Sequence, residues 1–144
     1  MSVVKRDQKE SKVEFDNTYF KIYEDAIRLI NNRFGASDEI KRNYSLYINT
    51  VSQEVLVTIS NIGRCIRIAN SIYPICKSEY EERRLQQDKA IGLCFDLLTK
   101  YQLIMKTVKA KDNKYVNEIQ NITKEINCLK KWRKSDNKRY ENLG

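Results

Sequence analysis

Four long segments of this chain repeat apolar residues every three or four positions, which is the spacing of one face of an α-helix. Only 4 glycines and 1 proline occur among the 144 residues. Folds that turn every ten residues or so, such as β-sandwiches and barrels, need more of both residue types. The sequence therefore predicts an all-α protein, and its length is sufficient for one domain with a hydrophobic core.

Residues that start or end helices mark the boundaries of the first two segments. The first segment ends at Gly35, which suits a left-handed C-cap, and Ser37 is a suitable N-cap for the second segment. The second segment extends to Pro74, which cannot continue a helix. Within this long segment we expect a kink or break near Asn43.

The third and fourth segments have start signals of their own. Ser78 and Glu81 have the spacing of a capping box, which predicts that the third helix begins there. The apolar surface of this helix is unusually wide in its second half. We therefore expect it to be the most central helix, or to be buried both by its own domain and by a neighbouring subunit. Asp112 or Asn113 is the expected N-cap of a fourth helix.

Short connections between long helices favour sequential antiparallel packing. The expected architecture is an up-down-up-down four-helix bundle over residues 14–134, between a polar N-terminal arm of residues 1–13 and a basic, polar tail of residues 135–144. Charges among the first five residues argue against a signal peptide, and no run of eighteen apolar residues is present. These features predict a cytoplasmic protein with no membrane partner.

The sequence has no histidine, which excludes the Ser-His-Asp and Cys-His nucleophile arrangements and every histidine-containing zinc site. Neither a phosphate-binding glycine motif nor an HExxH motif is present. Paired carboxylates lie in the first turns of predicted helices, where acids are favoured by the helix dipole. Three of the four cysteines occupy apolar helix positions, so we interpret them as reduced core residues. We expect no catalytic residues, no metal and no cofactor.

Positive charge is the main functional signal in the sequence. The chain has 27 lysines and arginines against 19 acids, which gives a net charge of +8. This balance predicts an anionic partner, most commonly nucleic acid, although ribosome-like and membrane-surface proteins share it. The densest cluster surrounds Trp132, with seven cations and two acids between Lys124 and Arg139.

Eight basic residues are candidates for contacts with phosphate groups. They are Lys130, Lys131, Arg133, Lys134, Arg64, Arg67, Arg83 and Arg84. For the four residues near the C-terminus, the alternative is a solvated helix end at which the dipole favours cations. For Arg83, an ion pair with Glu79 four residues earlier is the simplest explanation.

Two further expectations concern the surroundings of these candidates. Arg64 and Arg67 interrupt an otherwise apolar helix, so at least one of them should face water, a subunit contact or a ligand. The apolar stripe of the fourth helix passes close to Trp132. Packing against the bundle is therefore a better prediction for this side chain than stacking on a base.

Three strings of the sequence resemble a known family. They are IANSIYP at residues 68–74, SEYEERRLQQDKAIGLC at residues 78–94 and EINCLKKWRKSDNKRY at residues 125–140, and ESK in the N-terminal arm is also similar. Together they resemble the Avd proteins, the accessory variability determinants encoded beside the reverse transcriptases of diversity-generating retroelements. The wider group includes the four-helix-bundle proteins encoded by ribosomal RNA intervening sequences.

The resemblance implies a homopentameric barrel that has a positively charged surface and no catalytic activity. It also implies binding to a reverse transcriptase and to nucleic acid, RNA and possibly DNA, during mutagenic cDNA synthesis. One alternative is a stand-alone RNA-binding bundle of the intervening-sequence type. Another is a structural or toxin–antitoxin-like interaction protein whose charge serves only solubility.

Overall fold

The computed structural model describes the backbone of residues 2–144 and the side chains of residues 17–111 and 113–144. Within that backbone it contains five α-helices, two 3₁₀ turns and no strand, which confirms the all-α prediction. The helices are α1 (Ser2–Asn31), α2 (Asp38–Asn43), α3 (Ser45–Ser71), α4 (Lys77–Val108) and α5 (Val116–Arg139). Across the described residues, none of these helices is both long and apolar enough to cross a membrane.

The connection between α1 and α2 is a left-handed turn. Arg33, Phe34 and Gly35 have φ angles of 53°, 57° and 76°, so Gly35 is left-handed as predicted, but it ends a 3₁₀ turn four residues after α1 rather than capping that helix, and two non-glycine residues share its conformation. That conformation costs on the order of 1 kcal/mol for a residue with a side chain. Phe34 is fully buried, and its carbonyl oxygen accepts a 2.6 Å hydrogen bond from the Tyr115 hydroxyl. Tertiary packing therefore holds the turn in an unfavourable backbone conformation.

The second periodic segment forms two helices. The Ser37 hydroxyl caps α2 by accepting a hydrogen bond from the Ile40 backbone N–H at 3.3 Å, as predicted. The segment is interrupted at Tyr44, between α2 and α3 and next to the expected break near Asn43. Helix α3 then ends before Pro74. The boundaries predicted from local signals are therefore confirmed in this part of the chain.

Helix α4 starts differently from the prediction. Its N-cap is Cys76 rather than Ser78, so the expected capping box does not start the helix. Cys76 makes no side-chain capping hydrogen bond, and the Oε1 atom of Glu79 accepts a hydrogen bond at 3.1 Å from the backbone N–H of Ile75, the residue just before the N-cap.

Helix α5 also starts later than predicted. A 3₁₀ turn spans Asp112–Lys114, and the N-cap of α5 is Tyr115 rather than Asp112 or Asn113. The Tyr115 side chain does not cap the helix, because its ring is buried and its hydroxyl donates to the Phe34 carbonyl. A tertiary contact therefore determines where α5 begins.

Two expected domain boundaries do not coincide with helix ends. Helix α1 begins at Ser2, inside the predicted polar arm of residues 1–13, and the side chains of that arm lie outside the described residues. Helix α5 continues to Arg139, past the expected end of the bundle at residue 134. The reason is that Asp136, which lies inside the predicted tail, is completely buried against α4.

Four long helices pack around one hydrophobic core. Helix α4 packs along α3 and α5, and helix α1 packs along α5 and α3. Asp88 of α4 contacts Arg133, whereas the earlier Tyr80 contacts the later Asn137, so α4 and α5 run antiparallel. The core includes three buried cysteines, as predicted: Cys65, Cys94 and Cys128. Burial, together with the nearby charge of Glu125, raises the pKa of the Cys94 thiol to about 12.

The wide apolar surface of α4 is partly covered within the chain. Ala90 and Leu97 are completely buried in the core. On the outside of the same helix, Leu85, Phe95 and Leu103 remain 46%, 46% and 58% exposed. The chain itself therefore buries one side of α4, and burial of the other side by a neighbouring subunit stays a prediction.

Candidate nucleic-acid interface

Arg83 lies in the interior rather than at the surface. Its side chain is only 4% exposed, and its Nε and Nη2 atoms donate hydrogen bonds of 2.6 Å and 3.2 Å to the two carboxylate oxygens of Asp136. Its Nη1 atom donates to the carbonyl oxygen of Ile72 at 2.8 Å. Arg83 therefore cannot reach a phosphate group in this fold, and its ionic partner is Asp136 rather than the expected Glu79.

The contacts of Arg83 join three helix ends. The last carbonyl groups of a helix lack partners within it, and the Arg83 guanidinium supplies one at the end of α3. Asp136 also accepts a 2.6 Å hydrogen bond from the Gln87 side chain. Trp132 is partly buried against the core, as predicted, and its ring centroid lies 5.1 Å from the Arg83 guanidinium. The end of α3, the start of α4 and the end of α5 therefore meet at one end of the molecule.

The other candidate arginines are exposed near that end, but on different helices. Arg84 projects from the start of α4, whereas Arg64 and Arg67 project from the second half of α3. Helices α3 and α5 each pack against α1 and α4, so α3 is not the main neighbour of α5. Arg84 therefore lies on a helix that packs against α5, whereas Arg64 and Arg67 lie on a helix that packs mainly against α4.

Helix α5 separates its charges between its two sides. Five exposed lysines project outward from the helix between its ninth residue and its last turn, and we name them the lysine face: Lys124, Lys130, Lys131, Lys134 and Lys138. The acids of the same helix point inward, since Glu125 and Asp136 are completely buried and Glu118 is partly buried. At about 1.5 Å per residue, the lysine face extends for roughly 20 Å along the helix.

Three of the four C-terminal candidates belong to the lysine face, and sequence reasoning missed two of its members. Lys124 and Lys138 were counted in the local excess of charge but were not singled out. Their spacing of seven residues on either side of Lys131 was the available signal, because residues seven apart lie on one side of a helix. The fourth candidate, Arg133, is half-buried and donates a 2.7 Å hydrogen bond to Asp88.

The outer sides of the other long helices carry exposed acids. Glu24 of α1 and Glu54 of α3 are exposed, and α4 exposes acids at several positions along its length. One of these, Asp96, forms a 2.8 Å ion pair with Lys100 on the same helix. Among the described residues of the four long helices, exposed cations occur without an exposed acid on α5 alone.

An aromatic ring and an ion pair lie at the edge of the lysine face next to α4. The ammonium group of Lys130 lies 5.4 Å from the centroid of the Phe95 ring. Arg133 pairs with Asp88 nearby, so the charge of this acid is neutralised. An aromatic ring is thus exposed directly beside a row of cations.

The titratable groups with shifted pKa values lie in the interior of the fold, away from the lysine face. Burial raises the pKa values of Tyr101 and Tyr115 above their ordinary range, with a further contribution from the charge of Glu118. Burial also raises the pKa of Glu118, with a smaller contribution from Asp25. These shifts belong to groups that pack between α1, α4 and α5.

Comparison of this chain with protein-family models, curated proteins and solved structures finds no match. The resemblance of the three strings to the Avd family therefore stays a prediction. The lysine face is the feature on which a functional proposal can rest.

Proposed function

We propose that this protein is a non-enzymatic nucleic-acid-binding protein whose lysine face contacts the phosphate backbone. The observation that carries the proposal is the charge separation on α5, with every acid turned inward and five lysines exposed. Each lysine that neutralises a phosphate group releases condensed counterions, which favours binding at low salt. A surface about 20 Å long can contact several consecutive phosphate groups.

The energetics of α5 argue against solubility as the only role of these lysines. Lys130 and Lys134 are four residues apart, as are Lys134 and Lys138, and like charges at this spacing cost about 0.2 to 0.5 kcal/mol per pair. The helix dipole favours cations only in the last turn, so it does not explain Lys124 or Lys130. An anionic partner removes the repulsion between these lysines.

The wider proposal follows the resemblance to the Avd family. The four long helices would form an up-down-up-down bundle, and five copies in a ring would repeat the lysine face five times. The exposed Leu85 and Leu103 of α4 support a contact with a neighbouring subunit, since they leave apolar surface uncovered. In this proposal the protein binds both the reverse transcriptase and the template RNA or cDNA of a diversity-generating retroelement.

The alternative function is a stand-alone RNA-binding protein of the ribosomal intervening-sequence type. It uses the same lysine face but has no polymerase partner. Light scattering and co-purification with the neighbouring reverse transcriptase separate the two proposals. A mass near five times 17.1 kDa with capture of the polymerase supports the accessory role, whereas RNA binding without capture supports the alternative.

The experiment that tests nucleic-acid binding compares two triple variants with the same change in net charge. The first replaces Lys124, Lys131 and Lys134 of the lysine face with glutamine. The matched control replaces three exposed lysines on helices that also expose acids: Lys21, Lys89 and Lys106. RNA affinity is measured at several salt concentrations after circular dichroism has shown that both variants are folded.

We expect the first variant to bind more weakly. The negative slope of log K against log salt should become shallower by about 2 to 3, because three phosphate contacts are lost. The control should change the slope by less than about 1. Equal slopes in the two variants would show that only net charge matters and would contradict the proposal.

A further inference from the structure

We propose that Phe95 is a stacking platform for an unpaired base, so that the protein prefers single-stranded to double-stranded nucleic acid. The inference rests on the proposed nucleic-acid function and deepens it. It assigns a specific role to a residue that carries no charge. The lysines supply contacts with phosphate groups, which single and double strands both offer, and Phe95 supplies a contact that only an unpaired base can make.

Phe95 lies at the edge of the lysine face. The ring is 46% exposed on α4 and lies 5.4 Å from the ammonium group of Lys130, a member of the lysine face. One acid on this edge, Asp88, is paired with Arg133 at 2.7 Å. A strand whose phosphate groups follow the lysine face therefore passes an apolar ring and meets no unneutralised carboxylate at Asp88.

Three other aromatic side chains near this end of α5 pack against protein groups. Trp132 is partly buried, with the Arg83 guanidinium 5.1 Å from its ring centroid. Tyr80 and Tyr140 pack against each other with their ring centroids 5.6 Å apart. Tyr73, which follows α3, is 73% exposed, but Phe95 is the exposed ring whose centroid lies 5.4 Å from the ammonium group of a lysine of the lysine face.

Phe95 is also separate from the apolar surface that we assign to a subunit contact. Leu85 and Leu103 are eighteen residues apart, which is a whole number of helical turns, so they share one line along α4. Phe95 lies about 80° around the helix from that line. The contact with Lys130 shows that this rotation is towards α5. A subunit contact along the leucine line leaves the Phe95 edge accessible.

Binding of a nucleic-acid strand would replace the contact between Lys130 and Phe95 by one contact of each residue with the strand. In the free protein the Lys130 ammonium group lies near the Phe95 ring, which is a weak interaction at an exposed site. When a strand binds, the flexible lysine side chain moves to a phosphate group and a base takes its place on the ring. Stacking of a base on an aromatic side chain strengthens binding by about 5- to 150-fold and tolerates every base.

The test uses Phe95→Leu, which keeps the side chain apolar but removes the aromatic face, and Phe95→Trp, which keeps a face for stacking. The matched control is Phe20→Leu on α1, where the original ring is 59% exposed. Affinities are measured for an unstructured single-stranded RNA and for a duplex RNA of the same length, at several salt concentrations. Thermal unfolding establishes that each variant is as stable as the original protein.

We expect Phe95→Leu to weaken binding to the single strand by at least about fivefold and to change duplex binding by less than about twofold. The salt dependence should not change, because phenylalanine carries no charge. Phe95→Trp should retain single-strand binding, and Phe20→Leu should have no effect. Equal losses for single strand and duplex, or no loss for either, would overturn the role of Phe95.

Failure of this inference is distinguishable from failure of the proposed function. If the original protein binds both RNAs through the lysine face and Phe95→Leu behaves like it, only the stacking role is wrong. If the original protein binds neither RNA at low salt, the proposed function and the stacking role are both wrong.

Discussion

On the inner side of α5, Asp136 is completely buried and accepts hydrogen bonds from Arg83 and Gln87, whereas on the outer side Lys131 and Lys134 extend into solvent. Both sides are rich in charge. The inner charge is held by partners at 2.6 Å in a site closed to water, and the outer charges repel one another along an open surface. Environment, rather than charge density, therefore separates structural residues from candidate binding residues on this helix.

The two neighbouring arginines of α4 show the same difference over a single residue. Arg83 is 4% exposed, whereas Arg84 is exposed to solvent. One step along an α-helix rotates the side chain by about 100°, which is enough to move it from the core to the surface. An arginine pair in a sequence is therefore not one functional unit when it lies on a helix at the edge of a core.

The largest expected effect is on the inner side of α5. Asp136→Ala leaves the Arg83 guanidinium buried without its carboxylate, and breaking a buried ion pair in this way costs about 3 to 5 kcal/mol of folding free energy. The measurement is equilibrium unfolding in urea. The control, Arg84→Ala at an exposed position of α4, should change the free energy of unfolding by no more than about 0.5 kcal/mol.

A double variant tests whether the cost arises from the unpaired charge. Arg83→Met combined with Asp136→Leu removes both charges and keeps apolar volume, so it should be more stable than Asp136→Ala. If Asp136→Ala costs no more than the Arg84 control, the inner side does not hold its charges as described.

The next largest effects are expected at the two glycines of the long helices. Substitution by alanine should destabilise the protein at one of them and stabilise it at the other. A β-carbon at Gly63 of α3 would lie 2.5 Å from the Tyr19 hydroxyl, which donates a 2.9 Å hydrogen bond to the Ile59 carbonyl. Gly63→Ala must displace that ring, so we expect a loss of about 1 to 3 kcal/mol. On the outer side of α4, a β-carbon at Gly92 meets nothing within 4 Å. Gly92→Ala should stabilise the protein by up to about 1 kcal/mol.

Thermal unfolding of both glycine variants provides the measurement. A lower melting temperature for Gly63→Ala with a higher one for Gly92→Ala confirms that α1 packs closely on α3. Stabilisation by both substitutions would show that Tyr19 does not approach α3 as described.

Local signals predicted those parts of the fold that depend on neighbours in sequence. The cap at Ser37 and the break next to Asn43 follow from residues within one or two turns, and both were predictable. The start of α5 was not, because the Tyr115 hydroxyl is used by a carbonyl oxygen 81 residues away. The start of α4 was missed for a different reason, since its N-cap is Cys76, which is not one of the residue types that favour this position.

The same distinction applies to the candidate site. The lysine cluster around Trp132 was visible because composition alone reveals it. The burial of Arg83 was not visible, since its partner Asp136 lies 53 residues later in the chain. The exposure of Phe95 was equally hidden, because the residue belongs to a wide apolar surface whose uncovered part depends on where α5 packs.

The smallest expected effect concerns the other end of the inner side of α5, where Glu118 lies near Asp25. Burial raises the pKa of Glu118, and the charge of Asp25 adds to the increase. A hydrogen bond from the backbone N–H of Glu118 itself and the charge of Arg28 lower the same pKa by less. The folded protein therefore holds the proton more tightly than the unfolded chain does. The stabilisation from this group is complete at low pH and is lost as the pH rises through the raised pKa.

Glu118→Gln tests this sign, because the amide keeps the shape of the side chain but does not titrate. We expect the variant to gain stability relative to the original protein as the pH rises from 4 to 7, by on the order of 1 kcal/mol or less. Melting temperatures across that range provide the measurement, with Glu24→Gln on the exposed side of α1 as the control. A relative loss of stability with rising pH would mean that the charged form of Glu118 is favoured by Arg28 and the start of α5. The inner side of α5 would then stabilise acids along its whole length rather than only at Asp136.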